Sequence, residues 1–250
     1  MYTIPKNLLS KGSSNAKTAK NAQITYILYL SPYTQNSKKI NICAKASAGC
    51  AAACLFSAGR GAFSNVIKAR VNKTEYYLHD KELFMLQLAK ELLKINNKGN
   101  QQFKTLIRLN GTSDLDFVYL LKKYANFDID NYTNLHFYDY TKIMGKVKKY
   151  QHSKNYTLTF SRAETNEHEI LDAIKYGANV AAVFSDSLPQ TYKGIKVING
   201  DLTDAEMLQY KGLILGLKAK GKARKDNSGF VINSDLAVME SAMLQFGSTN

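Results

Sequence analysis

The sequence predicts an α/β fold: a β/α barrel, closed or partly open, with about seven mostly parallel strands. Two observations carry that expectation. Apolar, β-branched and aromatic runs of about five to eight residues recur at intervals of roughly 20–30 residues, with helical patterns between most of them. The runs are also apolar throughout rather than alternating, as in strands covered on both faces. A doubly wound open sheet is the other arrangement that such alternation allows. Its dinucleotide-binding form has no signature here, because no Gly-x-Gly-x-x-Gly follows the first strand.

The elements follow in order. Residues 1–22 are rich in lysine, serine and asparagine and read as a flexible basic arm before a single barrel domain over 23–250. Ile24–Ser31 is a strand ended by Pro32, and Tyr33 to Ile42 is polar loop. Ala48–Ala58 is almost all small residues of high helix propensity, broken by Gly59-Arg60-Gly61. Asp80 is placed to cap an amphipathic helix over Lys81–Ile95. Lys104–Leu109 is a strand. It ends in Asn110-Gly111-Thr112, with Ser113-Asp114 as the cap of a helix to about Tyr124. Asn134–Tyr140 is a strand followed by a short basic helix to about Lys149. Tyr156–Ser161 is a strand, with a helix from about Asn166 to Tyr176. Asn179–Ser185, Gly194–Gly200 and Gly212–Leu217 are the remaining strands, with a helix over Asp201–Tyr210 before the last.

Lysine and arginine total 34 against 20 acidic residues, a net charge of +14 that comes mostly from lysine. Such an excess favours polyanions through phosphate contacts and counterion release, so nucleic acid or another anionic ligand is the expected partner. A merely solvated basic surface is the alternative. No apolar run approaches the roughly 18 residues that a membrane span needs, and Met1 to Lys20 has no secretory pattern. The expected location is therefore the cytoplasm. The P-loop, Gly-x-Ser-x-Gly and His-Glu-x-x-His patterns are absent. Asp128 and Asp130 are close together but begin no calcium loop.

The three cysteines, Cys43, Cys50 and Cys54, have the spacing C-x6-C-x3-C. An odd, clustered set points to metal rather than to disulfides. On a helix, Cys50 and Cys54 share a face, and the loop carrying Cys43 is long enough to fold back on them. Three thiolates can hold three irons of a [4Fe–4S] cluster and leave the fourth open. They can equally hold zinc with a fourth ligand, although none of His79, His136, His152 and His168 sits at ligand spacing. Buried apolar thiols on an alanine-rich helix are the third reading.

In a barrel, strand ends converge on one mouth. Arg108, Asn110, Ser113 and Asp114 end one strand, Ser161, Arg162 and Glu164 another, and Ser185 and Asp186 a third. Arg108 suits a carboxylate or phosphate. The same residues can simply be turn and cap groups. Lys218, Lys220, Lys222, Arg224 and Lys225 follow the last strand as an anion-contacting run or a solvated loop. Arg60 and Arg70 flank the cysteine segment. Tyr76, Tyr77, Tyr138 and Tyr140 are candidates for base stacking or for the core.

The blocks ICAKA and ASAGCAAACLFSAGRGAF around the cysteines, RLNGTSDLDF (Arg108–Phe117) and GLKAKGKARKDNSGFVI (Gly216–Ile232) resemble the phage gene-product-88-like family. That resemblance covers most of residues 24–232 and implies a phage or prophage origin, hence the cytoplasm of an infected bacterial host. More loosely, three cysteines after the first strand of a β/α barrel are similar to radical S-adenosylmethionine enzymes. Those carry C-x3-C-x2-C, from which this spacing departs, and no Gly-Gly-Glu-like segment follows the second strand. The similarity implies a [4Fe–4S] cluster, S-adenosylmethionine and radical or reductive chemistry on a nucleotide or nucleic acid.

Overall fold

The computed structural model describes residues 2–12, 23–32, 35–54, 59–99 and 103–239. The chain is mixed α/β. Its strands are β1 (Leu9–Lys11), β2 (Thr25–Leu28), β3 (Thr105–Arg108), β4 (Leu135–Thr141), β5 (Tyr156–Ser161), β6 (Asn179–Phe184), β7 (Thr191–Tyr192), β8 (Ile195–Asn199), β9 (Ile214–Lys218) and β10 (Val231–Ile232). Its helices are α1 (Ala48–Ala52), α2 (Ser64–His79), α3 (Lys81–Lys98), α4 (Phe117–Ala125), α5 (Met144–Tyr150), α6 (Ile170–Lys175) and α7 (Asp204–Met207). Every strand expected from the sequence is present; β1, β7 and β10 are additional.

The strand order is β1-β2-β3-β4-β5-β6-β9-β8-β7, with β10 on β6. The sheet is mostly parallel and not closed, which corrects the closed form of the expected barrel. Both end strands are antiparallel additions: β1 pairs with β2, Leu9 opposite Leu28, and β7 forms a hairpin with β8. A parallel barrel needs its first and last parallel strands to meet. Here each is covered by a short hairpin-like edge instead.

By its contacts the chain divides into two compact units. The first contains Met1–Lys45, Leu55–Asp139 and His152–Thr157. Its core is built from Leu28, Ile107 and Phe137 on the strands with Phe84, Leu88 and Leu92 of α3, all buried. Part of the segment read as a polar arm belongs here. Leu8 and Leu9 are buried, the Glu91 carboxylate accepts from Leu8 N at 2.7 Å and Leu9 N at 2.9 Å, and Lys73 Nζ donates to Leu8 O at 2.6 Å. Two leucines among polar neighbours give no periodic signal, so this docking depends on partners far along the chain. Residues 13–22 of that arm lie outside the described residues. Helix α3 begins after Asp80 as expected, but the Asp80 side chain makes no capping bond. The cap of α4 is Asp116, whose Oδ1 accepts from Tyr119 N at 3.1 Å, in place of Ser113-Asp114.

On β4, His136 is held near neutral imidazole. Burial, with the Lys104 ammonium nearby, brings its pKa down to about 4 from the ordinary value of 6.5. Its Nε2 lies 2.9 Å from Thr157 Oγ1. The unfolded chain binds a proton below pH 6.5 while the folded one resists until about pH 4. This share of stability is therefore complete above pH 6.5 and is lost as pH falls towards 4. Unfolding free energies from urea titrations at pH 7.5 and 4.5 are expected to differ by about 2–3 kcal/mol more in the wild type than in His136→Gln.

The second unit contains Ala46–Cys54, Tyr140–Gln151 and Leu158–Asn250. Phe160, Ile170, Val180, Ala182, Phe184 and Ile214 form its buried core. Strand β5 pairs with the first half of β6, Ser161 opposite Ala181, while β9 pairs along β6 from Val180 to Phe184. Strand β10 then pairs with Val183 and Phe184, taking the side that β5 vacates. This exchange of partners brings residues 226–230 to the C-terminal end of β5. Helix α7 is shorter than expected and starts with a capping box between Thr203 and Glu206.

Candidate functional site

The C-terminal end of β5 organises the second unit's best-defined polar cluster. Arg162 is 5% exposed. Its Nη1 donates to Gly229 O and, at 2.9 Å, to Phe230 O, while Nη2 donates to Glu167 Oε2 at 2.7 Å. Glu167 also accepts from Tyr192 Oη and pairs with Lys193 Nζ at 3.3 Å. Burial pushes the Glu167 carboxyl up, but the bonds from Tyr192 and Arg162 and the Arg162 charge outweigh it and bring the pKa to about 2. Arg162 thus fixes the backbone before β10.

Two residues on, Glu164 holds the cysteine segment. Its Oε2 accepts from Ser47 Oγ at 2.7 Å and its Oε1 from Gly49 N at 2.8 Å. Ser47 in turn caps α1, its Oγ accepting from Cys50 N at 3.2 Å. Burial raises the Glu164 pKa, and the bonds from Ser47 and Gly49 more than reverse that, leaving it below the usual glutamate value. Gly49 has no room for a side chain: a Cβ would lie 2.7 Å from Phe230 Cβ and 2.9 Å from Glu164 Oε1. The cysteine segment is thereby seated between the end of β5 and the 226–230 turn.

The basic run lies on the same support. Ala53, just after α1, packs with Ala219 and Ala223, against Val183, Phe230 and Val231. Residues 221–225 form a short 3-10 turn that buries Ala223 and leaves Lys222, Arg224 and Lys225 exposed. Lys218 is exposed as well. Lys220 pairs with Asp201 at 2.6 Å, and Asp201 also accepts from Lys218 N at 3.1 Å. Asp226 accepts from Ser228 Oγ at 2.7 Å and Val231 N at 2.9 Å, closing the turn.

The other sequence-predicted residues fall elsewhere. Arg108, Asn110, Ser113 and Asp114 belong to the first unit. Asn110 is buried and spends its side chain on structure: Oδ1 accepts from Ser113 Oγ at 2.9 Å and Leu115 N at 2.8 Å, and Nδ2 donates to Leu115 O and to Asp139 Oδ2, both at 3.0 Å. Arg108 is half-buried at the end of β3, and Asp114 is buried with its N donating to Ile42 O. Ser161 accepts from Lys142 Nζ at 3.1 Å. Ser185 and the Asp186 N–H both bond Ser234 Oγ at 3.0 Å. Tyr76, Tyr77 and Tyr138 are buried, and the first two pack edge-on against Phe84, so these three serve the core rather than a stacking surface. Arg70 lies over the Tyr29 ring at 4.7 Å, and Arg60 is exposed on a 3-10 turn.

The thiols do not supply a ready metal centre. No disulfide joins the three half-buried cysteines. Among the described residues, no group of three or more His, Cys, Asp or Glu is arranged to hold a metal ion. Helix α1 stops at Ala52, so Cys54 has left the helical face that was expected to carry it beside Cys50. Cys43 belongs to the first unit, where its Sγ lies 3.6 Å from Thr112 O. Residues 55–58, the rest of the expected helix, lie outside the described residues. Among the described residues, no helix is long and apolar enough to cross a membrane.

The family model described as Gene product 88 matches residues 7–234. The chain belongs to the Gene product 88 family. No curated protein and no solved structure matches it, and the looser similarity to radical S-adenosylmethionine enzymes finds no support. The blocks that resembled the family have physical roles here. In the Gene product 88 block Arg108–Phe117, Asn110 ties the turn together, and a Cβ on Gly111 would meet Tyr29 Cδ1 at 2.6 Å and Leu28 O at 2.8 Å. The cysteine and basic blocks meet through Ala53, Ala219 and Ala223. Sequence reading missed Glu164 as the tie between blocks, because its partners are more than a hundred residues away.

Proposed function

We propose that this Gene product 88 protein binds a polyanion, the phosphate backbone of a nucleic acid, through the basic run 218–225, with the cysteine segment as the platform beneath it. The observation that supports this is the division of labour within the run. Its alanines pack on Ala53, just after α1, while Lys218, Lys222, Arg224 and Lys225 are exposed. Among the described residues, only Lys220 of the run pairs with a carboxylate. A chain of net charge +14 adds a long-range attraction to the same partner. Fluorescence anisotropy with a labelled oligonucleotide at about 50 mM salt tests it. The triple variant Lys218→Gln, Lys222→Gln, Lys225→Gln is expected to bind about tenfold or more weakly. Equal affinity would remove the run from the interface.

A second reading keeps Cys43, Cys50 and Cys54 as ligands of a [4Fe–4S] cluster, with zinc as the other metal and S-adenosylmethionine as a companion cofactor. The clustered spacing favours it, together with the absence of disulfides. The described side chains do not fit it as they stand, so no chemical step is drawn through a metal. Iron, zinc and labile-sulfide analysis of anaerobically purified protein separates the two readings: a bound cluster supports this one, and protein free of all three ends it.

A further inference from the structure

We propose that Glu164 is a latch: it is a positioning residue that holds residues 47–50 against the end of β5 and thereby keeps the half-buried Cys50 side chain from opening fully to solvent. Three independent features point to it. The Glu164 carboxylate spans the entry to α1, one oxygen on Ser47 Oγ and the other on Gly49 N. The helix is only five residues long, so its own hydrogen bonds cannot hold it in place. It is also held by a glycine enclosed by Ser228, Phe230 and Glu164 and by the small Ala53–Ala219–Ala223 contact.

The thermodynamic consequence follows from the relative strength of these attachments. Alanine contacts bury little apolar area, so each contributes modestly. Two hydrogen bonds to an ionised carboxylate are the stronger part of the attachment. Without them the segment opens locally while the second unit's main core remains, since Glu164 is not part of that cluster. Local opening exposes Cys50, which follows Gly49 directly and whose N–H rests on Ser47. Cys43 lies in the other unit and is attached through Asn41 and Thr112, so it reports on the rest of the fold.

The inference does not rest on the polyanion reading, because its test uses no nucleic acid. The full chain is reacted with iodoacetamide under native conditions, and the three cysteines are followed separately by peptide mass spectrometry. In that reaction the thiolate sulfur attacks the methylene carbon, the C–S bond forms, iodide leaves and the thiol proton passes to buffer. Glu164→Ala is expected to speed alkylation of Cys50 at least tenfold while Cys43 changes less than twofold. Glu164→Gln keeps one acceptor oxygen and should fall between. If Glu164→Ala does not fold, Ser47→Ala removes one of the two Glu164 bonds together with the Cys50 N–H cap and should give about a threefold rise at Cys50. A Cys50 rate unchanged in the variants, or a Cys43 rate that rises as much as that of Cys50, would overturn the proposal.

Discussion

Asp139→Ala is expected to lower stability by about 3–5 kcal/mol, read as a shift in urea midpoint with the m-value unchanged. Asp139 is 2% exposed on β4. Its Oδ1 accepts from Asn110 N at 2.7 Å, and its Oδ2 accepts from Asn110 Nδ2 and Tyr156 Oη, each at 3.0 Å. Alanine leaves three buried donors without this acceptor, and each unsatisfied donor costs about 1–3 kcal/mol. The carboxylate also fixes Asn110, which in turn organises the turn from Gly111 to Leu115. Burial, then the Asp139 charge, push the Tyr156 phenol well above its usual pKa, so it stays a donor at every working pH. Tyr156→Phe removes one donor and its bond together and should cost only about 1 kcal/mol. A loss under 1 kcal/mol for Asp139→Ala would mean that the network is not what holds β3, β4 and β5 in place within the first unit.

Arg162→Ala should cost about 3–4 kcal/mol at pH 7 and change the acid response as well. The guanidinium, nearly inaccessible, carries bonds to Gly229 O, Phe230 O and Glu167 Oε2. Its loss strands two carbonyls and leaves Glu167 with Tyr192 and Lys193. The folded pKa of Glu167, about 2, should then move up towards 4.5. A depressed carboxylate gives stability that is complete above its unfolded pKa and lost as pH falls towards the folded one. The wild type should therefore lose about 1–2 kcal/mol between pH 5 and pH 2.5 through Glu167, a figure discounted because the side chain is about a third exposed. The variant should lose less. Arg162→Lys keeps a charge but not the fork, and should recover less than half of the loss. Parallel acid curves for wild type and Arg162→Ala would show that Arg162 does not set the Glu167 titration.

The strands were legible because burial on both faces demands continuous apolar runs, and Tyr156–Ser161 or Asn179–Ser185 can hardly be anything else. The closure of the sheet was not legible. It turns on edge strands of two or three residues, such as Leu9–Lys11 and Thr191–Tyr192, too short for any period to show. Helix α1 was expected to run to Ala58 from propensity alone. Propensity does not register that Ala53, just past the helix, packs on Ala219 and Ala223 far along the chain. The candidate site was half legible. The cysteine and basic blocks stood out by composition, while Glu164 looked like any strand-end acid, and Asp139 drew no notice within an apolar run. Both act through partners 17 to 117 residues away, which no local pattern encodes.

The salt dependence of oligonucleotide affinity tests the central claim most directly. Affinities measured from about 50 to 200 mM salt should give a steep linear fall of log K against log salt in the wild type. The slope should flatten by about 2–3 in the Lys218, Lys222, Lys225 glutamine variant, in line with roughly 0.9 for each duplex phosphate that the protein no longer neutralises. A flat wild-type line, or identical slopes for the two proteins, would contradict the assignment of the basic run as the polyanion-binding surface.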